Sequence, residues 1–149
     1  MTIAVNDRHI EYSGNGSTTV FAFDFPITAT SELRVTVITS GVEAEQTLTT
    51  DYTVTISGDG TGSVAFSTAP ASGVIVVLDG STPATQPTDY ITNDAFPAAS
   101  HEGHMDRITK IAQENKRDVA TTVRVPRDES GLTLPSVANR ASKYAGYDS

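Results

Sequence analysis

Apolar and polar residues alternate along two stretches in the first third of the chain. In VFAFDFP, Val20 to Pro26, every second residue is a phenylalanine, and in ELRVTVIT, Glu32 to Thr39, leucine and valine recur at the same interval. Successive side chains of a β-strand point to opposite faces, so this period of two predicts half-buried antiparallel strands.

Short runs of the same kind continue to Leu78, separated by the glycine-containing segments GDGTG and APASG. Short strands at such regular spacing predict a small antiparallel β-sandwich or barrel. The run Val74–Leu78 is apolar at every position, which is typical of a central strand covered on both faces. The residues expected in this β-core are Phe21, Phe23, Phe25, Leu33, Val35, Val37, Val54, Phe66, Ile75 and Val77.

A tight turn is predicted at Gly14, Asn15 and Gly16, because these residue types accept positive φ angles. The turn is expected to join Ile10–Tyr12 and the strand that begins at Val20 as a hairpin. The predicted core requires neither the turn nor the N-terminal arm, residues 1–10. We therefore expect both to be available for docking to a partner protein.

From Pro97 the apolar spacing changes from two to three and four, and no proline follows before Pro126. This predicts a long helix over residues 97–125. One narrow stripe, here called the seam, consists of His101, Met105, Ile108, Ala112, Asn115, Val119 and Thr122. A stripe this narrow favours a parallel coiled coil, with Asn115 as a polar residue that sets the register. A helix packed on its own β domain is the alternative interpretation.

Charge divides the chain at the same place. Residues 1–96 carry eleven acidic and two basic residues, whereas residues 97–149 carry seven acidic and eight basic ones. We expect a β-rich docking domain over 1–96, a stalk helix over 97–125, and a linker with a short helix over 126–149, which leads to a missing distal part. The net charge of −8 argues against nucleic-acid binding, which requires lysine and arginine to neutralise phosphates.

Few residues are candidates for chemistry. Cysteine is absent, and the pair His101 and His104 lacks a third ligand that the sequence identifies, so neither a metal nor another cofactor is expected. No acidic pair stands in a context that marks general acid–base catalysis, so the chain is not expected to be an enzyme. No apolar run reaches the length of a membrane span, and the first 15 residues do not resemble a signal peptide.

Several unrelated sequence motifs occur along nearly the whole chain. In order, they are YSGNGSTTVFAFDFPI, ELRVTV, DYTV, GSVAFSTAPASGVIVVL, TQPTDYITNDAFPAASHEGHMDRITKIAQE, RVP and LPSVANRASKYAGYD. Together they resemble the N-terminal virion-attachment domain of tail fibre and tailspike proteins from short-tailed bacteriophages, the podovirus type.

The resemblance implies a structural virion protein that anchors a homotrimeric, receptor-binding tail fibre or tailspike to the phage tail during host adsorption. The helix would then begin a trimeric coiled-coil stalk. The expected partners are two further copies of the chain and the tail tube, adaptor or nozzle proteins, while a distal fibre part contacts host surface glycan. The protein would be made in the host bacterial cytoplasm and reside in the virion.

Two other functions stay open at this point. The chain would be a short adaptor that carries another spike if its length is complete. Alternatively, the β domain would be a glycan-binding module in which Tyr12, Tyr52 or Tyr90 stacks on sugar rings.

Overall fold

The computed structural model describes residues 3, 4, 6–86 and 97–121. Within these residues, the chain forms two antiparallel β-sheets and one helix. The strands are β1 His9–Ser13, β2 Val20–Phe23, β3 Leu33–Thr39, β4 Val42–Glu45, β5 Tyr52–Ile56, β6 Gly62–Phe66 and β7 Ile75–Gly80. A 3-10 turn spans Thr30–Glu32, and helix α1 spans Ala98–Ala120.

The strand order is β1-β7-β3-β4 in the larger sheet and β2-β6-β5 in the smaller one. β7 pairs with β1 on one side and with β3 on the other, which confirms the prediction that the apolar run near Val76 lies inside a sheet. The mainly β class with antiparallel sheets, followed by a helix, agrees with the predicted fold class.

Side chains from both sheets form one core. Phe21 of β2 and Phe66 of β6 contact edge to face with ring centroids 5.6 Å apart. Val35 and Leu78 of the larger sheet are fully buried in the same cluster. Aromatic pairs of this geometry add specific attraction to the burial of their surface, so the core orients the two sheets as well as excluding water.

Most of the residues expected in the β-core are buried, but Ile75 corrects the prediction. Ile75 is 39% exposed, whereas its neighbour Val76 is fully buried. Val76 and Leu78 face the other sheet, so strand alternation sends Ile75 and Val77 to the outer face. The pattern alone could not separate these faces, because β7 is apolar on both. The buried members are Phe21, Phe23, Phe25, Leu33, Val35, Phe66 and, on the outer face, Val77; Val37 and Val54 are partly buried.

The predicted hairpin around Asn15 is wrong. β1 pairs with β7 and β2 pairs with β6, so the turn joins strands of different sheets. The Gly14 N–H donates to the Val74 carbonyl at 2.7 Å, and the Gly16 N–H donates to the Pro70 carbonyl at 2.8 Å. Of these three turn residues, Gly16 alone has a positive φ, 75°, and such a glycine serves a crossing between sheets as well as a hairpin.

Helix α1 begins one residue after Pro97, close to the expected position. It ends at Ala120, and residues 122–125 of the predicted helix lie outside the described residues. The predicted linker and short helix over 126–149 lie outside them as well. None of the helices among the described residues is both long and apolar enough to cross a membrane.

Candidate functional site

Helix α1 lies against its own β domain through a row of charged residues. Arg107, Lys110, Glu114 and Arg117 follow each other at intervals of three and four, which aligns them on one side of the helix. We call these four residues the clamp face. Each of them bonds to a residue of the β domain or to the segment that follows β7.

Lys110 is the centre of the clamp face. Its Nζ lies 3.0 Å from Glu32 Oε2, and both side chains are 4% exposed. The Thr28 backbone N–H and hydroxyl donate to the Glu32 carboxylate at 2.9 and 2.7 Å. Arg107 Nη1 lies 3.7 Å from Glu32 Oε1. Burial by itself raises the pKa of Glu32, but the Thr28 hydrogen bonds and the Lys110 ammonium outweigh it and hold that pKa below its usual value.

Glu114 accepts three hydrogen bonds one turn further along. They come from Arg8 Nε at 2.9 Å and from the Thr82 backbone N–H and hydroxyl, both at 2.8 Å. Arg8 is fully buried, donates from Nη1 to the Pro26 carbonyl at 2.8 Å, and stands 5.2 Å from the centre of the Phe25 ring. This arginine therefore joins the N-terminal arm, the β-core and the helix.

Arg117 completes the contact near the end of the helix. Its Nη1 donates to the Arg8 carbonyl at 2.9 Å and lies 3.3 Å from Asp79 Oδ1. Asp79 Oδ1 also lies within hydrogen-bonding distance of His9 Nδ1, at 2.7 Å. Buried ion pairs add little net stability compared with apolar contacts, but they specify one arrangement, because any other leaves charges uncompensated. The clamp face therefore sets the position of the helix on the β domain.

The seam lies on the opposite side of the helix. An α-helix turns about 100° per residue, so Ile108 and Lys110 point in directions about 200° apart. Met105 is 51% exposed, Ile108 48% and Val119 47%. All the seam residues that the structure describes are exposed, namely His101, Met105, Ile108, Ala112, Asn115 and Val119; Thr122 lies outside the described residues.

Both interpretations of the helix are thus compatible in one molecule. The helix packs on its own β domain, as the alternative interpretation required, but it uses a polar face that the seam does not include. Met105, Ile108, Ala112 and Asn115 of the seam are exposed in the single chain. Association through it remains a prediction.

The N-terminal arm and the turn differ from the expected docking elements. Arg8 is fully buried and Gln113 Nε2 donates to the Ala4 carbonyl at 2.8 Å, so part of the arm is held in the fold rather than available. Gly14 is buried, and a Cβ there would collide with the Ala71 carbonyl oxygen. Asn15 and Gly16 are exposed.

The structure also bears on the chemical candidates. Tyr52 is 3% exposed and belongs to the β-core, so it is not available for stacking on a sugar. Tyr12 is partly buried, and its hydroxyl donates to the Ala22 carbonyl at 2.7 Å. Tyr90 lies outside the described residues. Among the residues with described positions, no group of three or more His, Asp or Glu side chains is arranged to hold a metal ion.

Sequence reasoning missed Arg8, Glu32 and Asp79, the β-domain residues that meet the clamp face. One signal was present for Arg8, since it is one of only two basic residues in the first 96. The 3-4 spacing of the clamp face was visible too. It is also the spacing of a solvent-facing charged stripe, so it could not be assigned to an interface without the contacts.

Comparison with known proteins places the chain among phage tail proteins. No protein-family model matches it. Over 128 residues, 85% of its length, the chain is 35% identical to the tail spike protein of Salmonella phage epsilon15. The match spans 12% of the length of that protein. By this similarity, the chain is related to one part of a bacteriophage tail spike protein, in agreement with the resemblance of its sequence motifs.

Proposed function

We propose that this chain is the anchor module of a trimeric tail spike or tail fibre, which attaches the spike to the phage tail during host adsorption. The observation that carries the proposal is the division of helix α1 into two opposite faces. The clamp face holds the β domain, and on the opposite face Met105, Ile108 and Ala112 of the seam are exposed, where the helices of two further copies would pack. Each helix would then form the start of a stalk while it carries its own β domain on the outside.

The exposed seam has the chemistry of such an assembly. Met105 and Ile108 expose about half of their surface in the single chain, which is unfavourable in water. Asn115 lies between Ala112 and Val119, where a polar residue sets register at a cost in stability. Packing three copies together removes the apolar surface from water and gives Asn115 partners of its own kind.

The β domain has the charge suited to docking on a tail protein. Residues 1–96 have nine more acidic than basic residues, which favours encounter with basic surfaces. Three copies in one trimer would multiply a modest contact by valency. On this proposal the partners are tail tube, adaptor or nozzle proteins, the distal part of the spike contacts host glycan, and the protein, made in the host bacterial cytoplasm, resides in the virion.

The first experiment is the solution mass of the full chain by light scattering at several concentrations. The expected mass is three times the chain mass of 15.7 kDa. Ile108→Asp should give a monomer, because three carboxylates would be buried together. Thr109→Asp is the matched control, since Thr109 is exposed, adjacent and outside the seam. A wild-type monomer at all concentrations would contradict the trimer.

Docking is tested separately, with virions of the encoding phage that lack their own spike. Fluorescently labelled full chain should sediment with these particles, and Ile108→Asp should be retained more weakly because it loses valency. Equal retention of the monomeric variant would contradict the role of the trimer in attachment. No retention of either protein would contradict the anchor role.

A further inference from the structure

Strand β4 forms one edge of the larger sheet. It is last in the strand order, and within the described residues it pairs with β3 alone. All four of its residues are exposed, and Val42 is 70% exposed. The outward main-chain groups of such an edge can pair with a further strand.

The main-chain groups on the open side of β4 belong to Glu43 and Glu45. The Gln46 N–H donates to the Val35 carbonyl at 2.8 Å, so the main-chain groups of Gln46 face β3. Successive residues of a strand point these groups alternately to its two sides, so those of Ala44 face β3 as well. Those of Glu43 and Glu45 therefore face away from β3, at the spacing that the hydrogen bonds of an added strand require.

The carboxylates of the same two glutamates favour a basic partner. Both line a groove of about 530 Å³ on the outer face of the larger sheet. The basic side chains of that groove are engaged by another carboxylate, because His9, Arg34 and Arg117 each lie within 3.5 Å of Asp79. In the described part of the chain, no basic side chain lies within ion-pair distance of either β4 glutamate. Complementary charge would steer a basic segment to this edge.

The opposite face of β4 is apolar. Alternation along the strand turns Val42 and Ala44 to the face that the glutamates do not occupy, and both residues are exposed. A strand added at this edge would therefore meet carboxylates on one face and aliphatic side chains on the other.

We propose that β4 is the docking edge for a tail protein, which adds an extended segment to the larger sheet as a further strand. The segment would alternate lysine or arginine, beside Glu43 and Glu45, with apolar side chains beside Val42 and Ala44. In such a strand addition the main-chain hydrogen bonds supply affinity, and the alternate side chains supply specificity. The inference rests on the proposed function and names the contact through which the anchor binds.

A second copy of β4 does not suit the same edge. Pairing two copies would place the glutamates of one strand beside those of the other, and like charges facing each other across paired strands are destabilising. The carboxylates thus discourage self-association through this edge and select a partner of opposite charge.

Charge reversal tests the side-chain contact, with virions of the encoding phage that lack their own spike as the probe. Full chain with Glu43→Lys and Glu45→Lys should bind these particles about tenfold more weakly than wild type, because two exposed ion pairs are replaced by repulsion. The matched control is Asp7→Lys with Asp24→Lys, which changes the net charge equally at two exposed positions outside the edge. Its binding should stay close to that of wild type.

A proline tests the main-chain pairing separately from the charge. Glu43→Pro and Glu43→Ala both remove the carboxylate, but only proline removes the N–H that faces the open side. Proline is tolerated at such an edge position because the lost N–H donates to no strand of its own sheet. Glu43→Pro should bind the particles about three- to tenfold more weakly than Glu43→Ala, the net effect of one hydrogen bond.

Weaker binding of the double lysine variant than of its control, together with weaker binding of Glu43→Pro than of Glu43→Ala, supports the inference. Equal binding within either pair, while wild type binds, overturns the inference and leaves the anchor role intact. Absence of wild-type binding contradicts both.

The oligomeric state separates the remaining occupant. A light-scattering mass of the double lysine variant that differs from wild type would show that a second copy pairs with β4, and this overturns the inference. Far-ultraviolet circular dichroism confirms the fold of each variant. If Glu43→Pro does not fold, the double lysine variant and its control decide the outcome.

Discussion

Lys110 and Glu32 form an ion pair of 3.0 Å with both side chains 4% exposed, although the two residues are 78 positions apart in the chain. The pair joins the middle of helix α1 to the 3-10 turn before β3. It is flanked by the Arg8–Glu114 pair, which spans 106 positions. The helix is therefore attached to the β domain by charges rather than by an apolar face, which leaves its apolar residues for other contacts.

Replacement of Lys110 by methionine should destabilise the protein. It leaves Glu32 buried without its ammonium partner, and we expect the free energy of unfolding to fall by about 3 kcal/mol, near the lower end for breaking a buried pair. The lower end applies because Glu32 keeps its Thr28 hydrogen bonds. Urea denaturation at one fixed protein concentration measures this, because self-association would shift the apparent stability.

The control for this variant is Lys116→Met, which removes an exposed lysine from the same helix. It should change the free energy of unfolding by no more than about 0.5 kcal/mol. A similar loss in both variants would show that the effect comes from helix charge in general and not from the pair with Glu32.

The stability should also depend on pH through Glu32. Its pKa is held below the usual value of 4.5, so the folded state favours the ionised carboxylate. The stabilisation is therefore fully present above pH 4.5 and is lost as the pH falls through the lower folded-state pKa. The difference in unfolding free energy between wild type and Glu32→Gln should be largest near neutral pH and shrink below pH 4.5. A difference that stays constant down to acid pH would argue against this linkage.

Gly80 provides a test of the Arg8 site. A Cβ at Gly80 would lie 2.6 Å from Arg8 Nε, the atom that donates to Glu114. Gly80→Ala should therefore displace the arginine and lower the unfolding free energy by about 1–3 kcal/mol, the usual effect of overpacking. At Gly58 a Cβ would meet nothing within 4 Å, so Gly58→Ala is the matched control. Thermal unfolding compares the two, and equal midpoints would contradict the crowding at Arg8.

Gly103 should respond in the opposite direction. It lies inside helix α1, and a Cβ there would meet nothing within 4 Å. Gly103→Ala is expected to raise helix stability by about 0.5–1 kcal/mol, because alanine loses less backbone entropy in a helix than glycine does. Amide hydrogen exchange of the first helical turns should slow. Unchanged or faster exchange would mean that the glycine has a role in a contact beyond the single chain.

The strands near Phe21 and Val35, the interior position of β7 and the start of the helix near Pro97 could all be predicted from the sequence. These features follow from local periodicity, because alternation and 3-4 spacing depend only on the geometry of one element. The acidic and basic residues on each side of residue 97 could be counted directly from the sequence. The excess of acidic residues before it is the same in any fold.

The tertiary structure decided which elements meet. Whether Ile10–Tyr12 pairs with β2 or with β7 depends on competition between sheets, and the turn at Asn15 suits either result. Whether Ile75 faces the core depends on where the second sheet lies, since both faces of its strand are apolar. The clamp face is the clearest case, because a row of charged helix residues has the same pattern in solvent as against Glu32 and Arg8. Such pairs are specified by proximity in space, and only the folded chain brings residues 78 and 106 positions apart within hydrogen-bonding distance.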